Sequence, residues 1–147
     1  MSRELFWLTL TIVVTGLLWV PYILDRFAKW GVLATLDNPK RNNPSHSPWA
    51  IRMMKAHENA IENLVIFGLL VLIVHELELS SRVTVWACIV YFWARLVHVV
   101  AYTLGIPYVR TLGFTFGFLA QAALAIVILS QVHLFPAAVS LPLPEGP

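Results

Sequence analysis

The stretch TLGFTFGFLAQAALAIVILSQV, residues 111–132, runs for 22 residues without a charged side chain. A helix of about 20 apolar residues is long enough to cross the hydrocarbon core of a bilayer. Two further runs have similar length, residues 5–24 and residues 83–104, and only the second is interrupted, by Arg95 and His98. These three runs predict an all-α integral membrane protein.

A fourth span is predicted from a weaker signal. Its uninterrupted apolar run, residues 64–74, reaches membrane length only if the helix begins near residue 48 and carries polar side chains into the membrane. We therefore predict one four-helix bundle over residues 1–134, followed by a proline-rich tail over residues 135–147. The four spans are placed at about 5–26, 48–76, 83–104 and 111–133.

Composition supports membrane insertion and limits the function classes. The chain has 147 residues, of which 59% are hydrophobic and 12% charged, and its mean hydropathy is +0.74. A soluble domain carries about 25% charged residues. A net charge of +2 is too small to indicate nucleic-acid binding. The single cysteine, Cys88, cannot form an internal disulfide.

The distribution of basic residues predicts the orientation in the membrane. The segment 25–56 holds six basic side chains, whereas the connection at 75–82 holds only Arg82. Lys and Arg accumulate in the cytoplasmic loops of membrane proteins. We therefore expect the segment 25–56 in the cytoplasm and both chain termini on the opposite side.

Polar side chains inside the third span fall on one face. A charge at the centre of a span costs about 2.5–3.5 kcal/mol on insertion scales, so it usually faces protein and has a function. At about 100° per residue, six side chains share one face of this helix. They are Thr84, Cys88, Tyr91, Arg95, His98 and Tyr102. The opposite face, with Trp86 and Trp93, is expected to contact lipid.

The second span carries a matching polar face. Its members are Arg52, Lys55, Asn59, Glu62 and Asn63, whereas His57 points away and is expected to be structural or interfacial.

Depth in the membrane predicts which residues of the two polar faces meet. The second and third spans form an antiparallel hairpin, so residues equally distant from its turn lie at equal depth. Glu62 is then level with Arg95, and the two are expected to neutralise each other. This pair is either a structural ion pair or part of a polar pocket that opens to the cytoplasm. The excess of cationic side chains on the pocket walls predicts an anionic or zwitterionic ligand.

Three segments in combination carry a family resemblance. They are KAHENAIENLVIF (55–67), RLVHVVAY (95–102) and YVRT (108–111). Over residues 5–134 the chain resembles the MAPEG family, the membrane-associated proteins of eicosanoid and glutathione metabolism, and specifically its bacterial members. The resemblance implies a homotrimer of four-helix bundles in the bacterial inner membrane. It also implies that glutathione binds as a co-substrate between neighbouring subunits, near the cytoplasmic face.

The resemblance implies which side chains hold glutathione. Asn59 and Glu62 would contact its peptide, with Glu62 at the γ-glutamyl amine, and His98 and Tyr102 would line the same site. Arg26 of the first span would contact a carboxylate. Three further cationic side chains complete the predicted binding set: Arg52, Lys55 and Arg95.

Arg110 and Thr111 are the predicted catalytic residues. The family arginine that matches Arg110 lies near the sulfur, where a positive charge favours the thiolate, the nucleophilic form of a thiol. A hydroxyl such as that of Thr111 can donate a hydrogen bond to the thiolate. The electrophile would be lipophilic and would arrive from the bilayer, and this reaction needs no metal.

Three positions depart from the eicosanoid-forming members. Glu58 stands in place of an arginine that helps to hold glutathione, Thr111 in place of a serine, and Phe114 in place of a tyrosine. Eicosanoid substrates are therefore not expected. We predict a glutathione-dependent transferase or peroxidase that acts on lipophilic electrophiles.

Two alternatives belong to other function classes. The first is a non-catalytic membrane protein of the same fold that binds a lipid, another thiol or a protein partner. The second is a haem or metal protein that uses His57, His75 and His98. The second is disfavoured because these histidines lie at different depths and on different helix faces.

Overall fold

The computed structural model describes residues 1–38 and 45–131, and over these residues it is all α-helical. Its helices are α1 (Arg3–Leu17), α2 (Trp19–Trp30), α3 (Val32–Leu36), α4 (Pro48–Glu76), α5 (Arg82–Leu104) and α6 (Pro107–Leu129). Because α1 and α2 are separated only by Leu18, they count as one spanning segment, Arg3–Trp30. Together with α4, α5 and α6 this gives four helices long and apolar enough to cross a membrane.

The predicted fold class, an all-α integral membrane four-helix bundle, is confirmed. Several predicted features lie outside the described residues: the tail 135–147, the last residues of the fourth predicted span, and Lys40 and Arg41 of the predicted cytoplasmic segment.

Local sequence sets the helix ends. Pro48 and Pro107 stand in the first turns of α4 and α6, where the missing N–H of proline has no intrahelical partner to lose. Ser81 caps α5, since its hydroxyl accepts from the Thr84 N–H at 3.2 Å and its own N–H donates to Thr84 Oγ1 at 2.8 Å. Gly105 ends α5 at φ 78°, a left-handed conformation that glycine adopts without strain.

The turn between α4 and α5 uses an unusual residue in the left-handed region. Glu78 has a φ of 54°. Its N–H donates to the His75 carbonyl at 3.1 Å, and the Leu79 N–H donates to the Val74 carbonyl at 2.9 Å. This pattern is a Schellman motif, in which glycine usually occupies the left-handed position.

Helix α5 lies at the centre of the bundle, with α1, α4 and α6 packed around it. The backbones of α5 and α6 approach closely at Gly113, where an added Cβ would lie 2.9 Å from both the Ala94 carbonyl oxygen and the His98 nitrogen. Small residues that permit such an approach are a common means of joining helices within membranes. Deeper in the bundle, the rings of Phe67 and Tyr91 stack with centroids 3.7 Å apart.

The predicted division of α5 into a polar buried face and a lipid face is confirmed. Five members of the polar face are buried: Thr84, Cys88, Tyr91, Arg95 and His98. On the opposite face, Trp86 is 63% exposed and Trp93 is 53% exposed. Large apolar side chains suit lipid contact, so the helix turns its titratable groups inward.

Asp25 ties the end of α2 to the start of α4. Its carboxylate accepts from the Ser47 N–H at 2.9 Å and from the Ser47 hydroxyl, and His46 Nδ1 lies 3.3 Å away. Ser47 is the residue that precedes the first turn of α4. The buried carboxylate therefore fixes where the second spanning helix begins relative to the first.

Candidate functional site

Arg95 occupies the centre of the bundle, with only 5% of its surface exposed. Its Nη2 donates to Asn59 Oδ1 on α4 at 2.8 Å. Its Nε and Nη1 are buried and have no hydrogen-bond partner within the described residues. A buried cation with a single neutral partner is costly, so these two nitrogens are unmet donors that favour an acceptor.

The predicted ion pair between Glu62 and Arg95 is not formed within the described chain. Glu62 is exposed on α4 and has no ion-pair or hydrogen-bond partner there. Asn59, on the preceding turn, contacts Arg95 instead. The two α4 positions differ by about 60° around the helix axis, and the rotation of α4 turns Asn59 toward α5.

A chain of amides extends this contact to α6. Asn63 Nδ2 donates to the Asn59 carbonyl at 2.9 Å, and Gln121 Nε2 donates to the Asn63 carbonyl at 2.9 Å. Gln121 is a buried polar residue within residues 111–132, the run that has no charged side chain. A lone glutamine in an apolar span indicates a buried polar contact, and here that contact holds α6 against α4.

His98 is held by the first turns of α6. Its Nδ1 lies 2.9 Å from the Arg110 carbonyl oxygen. A carbonyl only accepts, so Nδ1 carries the proton and donates, and the neutral ring then presents Nε2 as an acceptor. Nε2 is buried and has no partner among residues 1–38 and 45–131. His98 therefore adds a third unmet polar atom, one helical turn from the two unmet nitrogens of Arg95 on α5.

Arg110 and Tyr102 form a contact at the α5–α6 corner. The guanidinium carbon of Arg110 lies 4.6 Å from the centroid of the Tyr102 ring, a cation–π geometry. Both side chains are half-buried, so they border the site and remain accessible.

Thr111, the other predicted catalytic residue, is exposed beside this corner. Its hydroxyl donates to the Pro107 carbonyl at 3.0 Å, within its own helix. The hydroxyl proton is therefore engaged in this arrangement and would have to rotate away before it could serve a ligand.

Arg52 and Lys55 lie on the α4 face but differ in their contacts. Arg52 Nε donates to the Thr103 carbonyl at 2.9 Å, so it satisfies an orphan acceptor in the last turn of α5. Lys55 is exposed and has no partner in the described part of the chain. Lys55 is consequently available to a ligand, whereas Arg52 already joins α4 to α5.

Arg26 makes no hydrogen bond to the other predicted ligand residues among the described residues, and its Nε is buried without a partner there. Its guanidinium stacks on Trp30 at 4.2 Å from the ring centroid, and no hydrogen bond joins it to α4, α5 or α6 across the described residues. His57 points away from the site as predicted, and it contacts Tyr22, whose hydroxyl lies 3.0 Å from His57 Nδ1.

A small internal cavity adjoins Arg95 between α1, α4 and α5. It measures about 20 Å³, and Thr11, Thr15 and Ala60 also line it. That volume is enough for about one water molecule. A ligand of peptide size has no room in this cavity.

The outer face of α4 carries three charged side chains. Lys55, Glu58 and Glu62 are all exposed there, on a helix long and apolar enough to cross a membrane. Where such side chains lie within the hydrocarbon core, contact with lipid is unfavourable, and cover by protein or by a polar ligand is favoured.

Among the described residues, no group of three or more His, Cys, Asp and Glu side chains is arranged to hold a metal ion.

In comparisons with known proteins, the model of the MAPEG family matches residues 5–130 of the chain. The search of curated proteins found no match to the chain.

Proposed function

The chain belongs to the MAPEG family, and on this premise we propose that it is a membrane-bound, glutathione-dependent transferase or peroxidase acting on lipophilic electrophiles. The observation that carries the proposal is a pair of buried polar side chains on α5: Arg95 has two unmet nitrogens and His98 has one. The neighbouring helix α4 exposes the charged side chains of Lys55, Glu58 and Glu62.

The chemistry of these donors fits glutathione, which carries two carboxylates and one ammonium group. Arg95, Lys55 and Arg110 supply cationic partners for carboxylates. Glu62 is not neutralised by Arg95, so its carboxylate is available for the ammonium group. The missing internal ion pair thus supports the assignment of Glu62 to the γ-glutamyl end.

Bound glutathione would supply a thiol, which reacts as its thiolate. The charge of Arg110 favours the thiolate over the thiol, because the deprotonated sulfur is negative. Tyr102 lies against the Arg110 guanidinium and holds it at the α5–α6 corner. His98 fixes the same corner through the Arg110 carbonyl. In this proposal Arg110 acts on the sulfur, and Tyr102 and His98 position it.

A homotrimer would cover the charged face of α4. A second copy placed against Lys55, Glu58 and Glu62 would remove these side chains from lipid and complete the site between subunits. Such an arrangement would also allow Arg26 of a neighbouring copy to reach the ligand. We place this site on the cytoplasmic side, with residues 25–56 in the cytoplasm.

The test is conjugation of glutathione to a generic aryl halide by the purified protein, together with its ultraviolet thiolate absorbance. Arg110→Ala is expected to reduce conjugation by at least about tenfold, as for loss of a charged hydrogen-bond donor, and to remove the thiolate signal. Lys29→Gln, which removes an exposed cation that donates to the Ser45 carbonyl, is the matched control and should retain both. Equal activity and absorbance in wild type and Arg110→Ala would overturn the proposal.

A second candidate function is a non-catalytic protein that keeps the fold and binds a lipid, another thiol or a partner protein. Two observations favour it: an exposed acid, Glu58, on the ligand face, and a Thr111 hydroxyl that is engaged within its own helix. Glutathione at millimolar concentration should raise the thermal midpoint if the first proposal holds. No shift at that concentration would favour the second.

A further inference from the structure

The end of the bundle opposite the proposed glutathione site has two adjoining cavities of opposite charge. One has a volume of about 240 Å³ and is lined by Glu4, His75 and Glu78. The other has a volume of about 310 Å³ and is lined by Arg3 and Arg82. Ser80 lines both cavities, so the acidic and the basic space share one wall.

Glu4 is the most deeply buried titratable group of the acidic cavity, with 1% of its surface exposed. Its Oε1 accepts from the Ser80 hydroxyl and from the Thr84 hydroxyl, each at 2.7 Å. Its Oε2 is buried and has no hydrogen-bond partner in the described chain. Both partners are neutral, so the carboxylate has an unmet acceptor and no compensating positive charge, which favours a cationic N–H donor.

The basic cavity has the composition of a phosphate site at a membrane surface. Two exposed guanidinium groups, those of Arg3 and Arg82, can bind phosphate oxygens through paired N–H donors. Trp86 lines the same cavity on the lipid-facing side of α5. Tryptophan is enriched at the level of lipid headgroups.

Both cavities lie at one end of the spanning helices, where lipid headgroups are expected. Arg3 is the first residue of one spanning segment and Arg82 the first of another, and Glu78 lies in the turn that follows α4. A ligand with a phosphate beside the arginines and an ammonium beside the acids would neutralise the charges of both cavities.

We propose that this end of the bundle binds the headgroup of a zwitterionic phospholipid with a primary ammonium, of the phosphoethanolamine type. The phosphate lies at Arg3 and Arg82, and the ammonium lies at Glu4 and Glu78. A primary ammonium has N–H donors for Glu4 Oε2, whereas a trimethylammonium group has none. The site therefore prefers phosphatidylethanolamine to phosphatidylcholine of the same acyl chains, and to phosphatidylglycerol, which lacks a cation.

The experiment is native mass spectrometry of the full chain in detergent, titrated separately with these three lipids. Wild type should retain phosphatidylethanolamine about tenfold more strongly than the other two, as expected for one charged hydrogen bond. Glu78→Gln should lower this preference severalfold. Glu76→Gln removes an exposed acid of the same helix end that lines neither cavity, so it is the matched control and should leave the preference unchanged.

Two more arms separate the parts of the proposal. Arg82→Gln should weaken phosphatidylethanolamine and phosphatidylcholine equally, because both carry the phosphate. Soluble phosphoethanolamine that binds as strongly as the lipid would overturn the assignment to a membrane lipid.

The predicted preference for phosphatidylethanolamine can be tested without a substitution that removes hydrogen bonds within the protein. Glu4→Gln tests the buried carboxylate directly but also disturbs its contacts with Ser80 and Thr84. Glu78→Gln is therefore decisive, since Glu78 is exposed and keeps its backbone position. Equal retention of all three lipids by wild type, or an unchanged preference in Glu78→Gln, would refute the proposal.

Discussion

Asn59 is the side chain on which Arg95 depends within the protomer. Asn59→Leu would leave the whole guanidinium buried without a partner among the described residues. We expect the free energy of unfolding to fall by about 2 kcal/mol in the absence of ligand, the value of a hydrogen bond to a charged group. Chemical denaturation of the purified protein in detergent measures this change.

The double variant Asn59→Leu with Arg95→Met is the control for that experiment. Replacing both members of a buried polar pair by apolar groups is close to neutral, so the double variant should regain most of the lost stability. If Asn59→Leu alone unfolds at the wild-type denaturant concentration, Arg95 has a partner other than Asn59.

At this scale the sequence predicts depth better than it predicts contacts. The distance from the hairpin turn places Arg95 level with the correct stretch of α4 but predicts Glu62 as its partner, whereas the structure has Asn59. The choice between Glu62 and Asn59 depends on the rotation of α4 about its axis. Ala56 and Ala60, both buried, let α4 pack closely on that side. A rotation of this kind follows from packing between helices, which no single helix encodes.

At the scale of elements, the α5–α6 contact depends on the absence of a side chain at Gly113. Gly113→Ala would place a methyl group 2.9 Å from two backbone atoms of α5, which cannot move independently of that helix. We expect a loss of about 1–3 kcal/mol, the usual cost of overpacking. The thermal midpoint in detergent reports this loss.

Gly16→Ala is the matched control for Gly113→Ala. An added Cβ at Gly16 has nothing within 4 Å, so the helix gains from alanine and loses no contact. Its midpoint should stay level or rise slightly, by up to about 1 kcal/mol in stability. Equal destabilisation by both substitutions would contradict the close approach of α5 and α6.

The turn after α4 predicts a stabilising substitution. Glu78 pays a conformational penalty at φ 54°, and glycine would adopt that conformation without strain. Glu78→Gly is expected to raise the stability of the lipid-free protein by about 1 kcal/mol. Glu76→Gly, two residues earlier and still helical, should lower it by about the same amount. Denaturation curves of the two variants should therefore shift in opposite directions.

The two helix ends illustrate what local sequence reveals about elements. Gly105 is a recognisable stop signal for α5, and it adopts the expected left-handed conformation. Glu78 gives no such signal, because a glutamate is common in helices and rare at a left-handed position. The turn there is recognised only from the structure, by the backbone hydrogen bonds of Glu78 and Leu79.

At the scale of the whole molecule, the charged face of α4 predicts association between copies. Glu58→Cys on that face should cross-link to a second copy with a short bifunctional reagent, and the largest product should have three times the 16.6 kDa chain mass. Trp93→Cys on the lipid face should remain monomeric under the same treatment, and Cys88 is too deeply buried to react. Cross-linking through Trp93→Cys but not through Glu58→Cys would show that copies associate through the lipid face of α5, and it would contradict the prediction.

Fold and family are predictable from this sequence because both rest on patterns that one chain contains. Four spans follow from hydropathy, and the segments around Asn59, Arg95 and Arg110 in combination resemble the family. The complete ligand site is not predictable in the same way. The described protomer brings Arg95, His98 and Arg110 together, whereas Arg26 has no hydrogen bond to any of them. In the proposed homotrimer, the rest of the site would come from the surfaces of other copies.

The contact between Arg95 and Asn59 also bears on how the chain enters the membrane during synthesis. A helix with a central arginine partitions poorly into lipid as a single segment. Helix α4 precedes α5 in the chain, so the amide that receives this arginine has already been synthesised when Arg95 emerges from the ribosome. We therefore expect the second and third spans to insert into the membrane together, as a hairpin. The order of the helices in the chain permits this, because α4 is synthesised before α5.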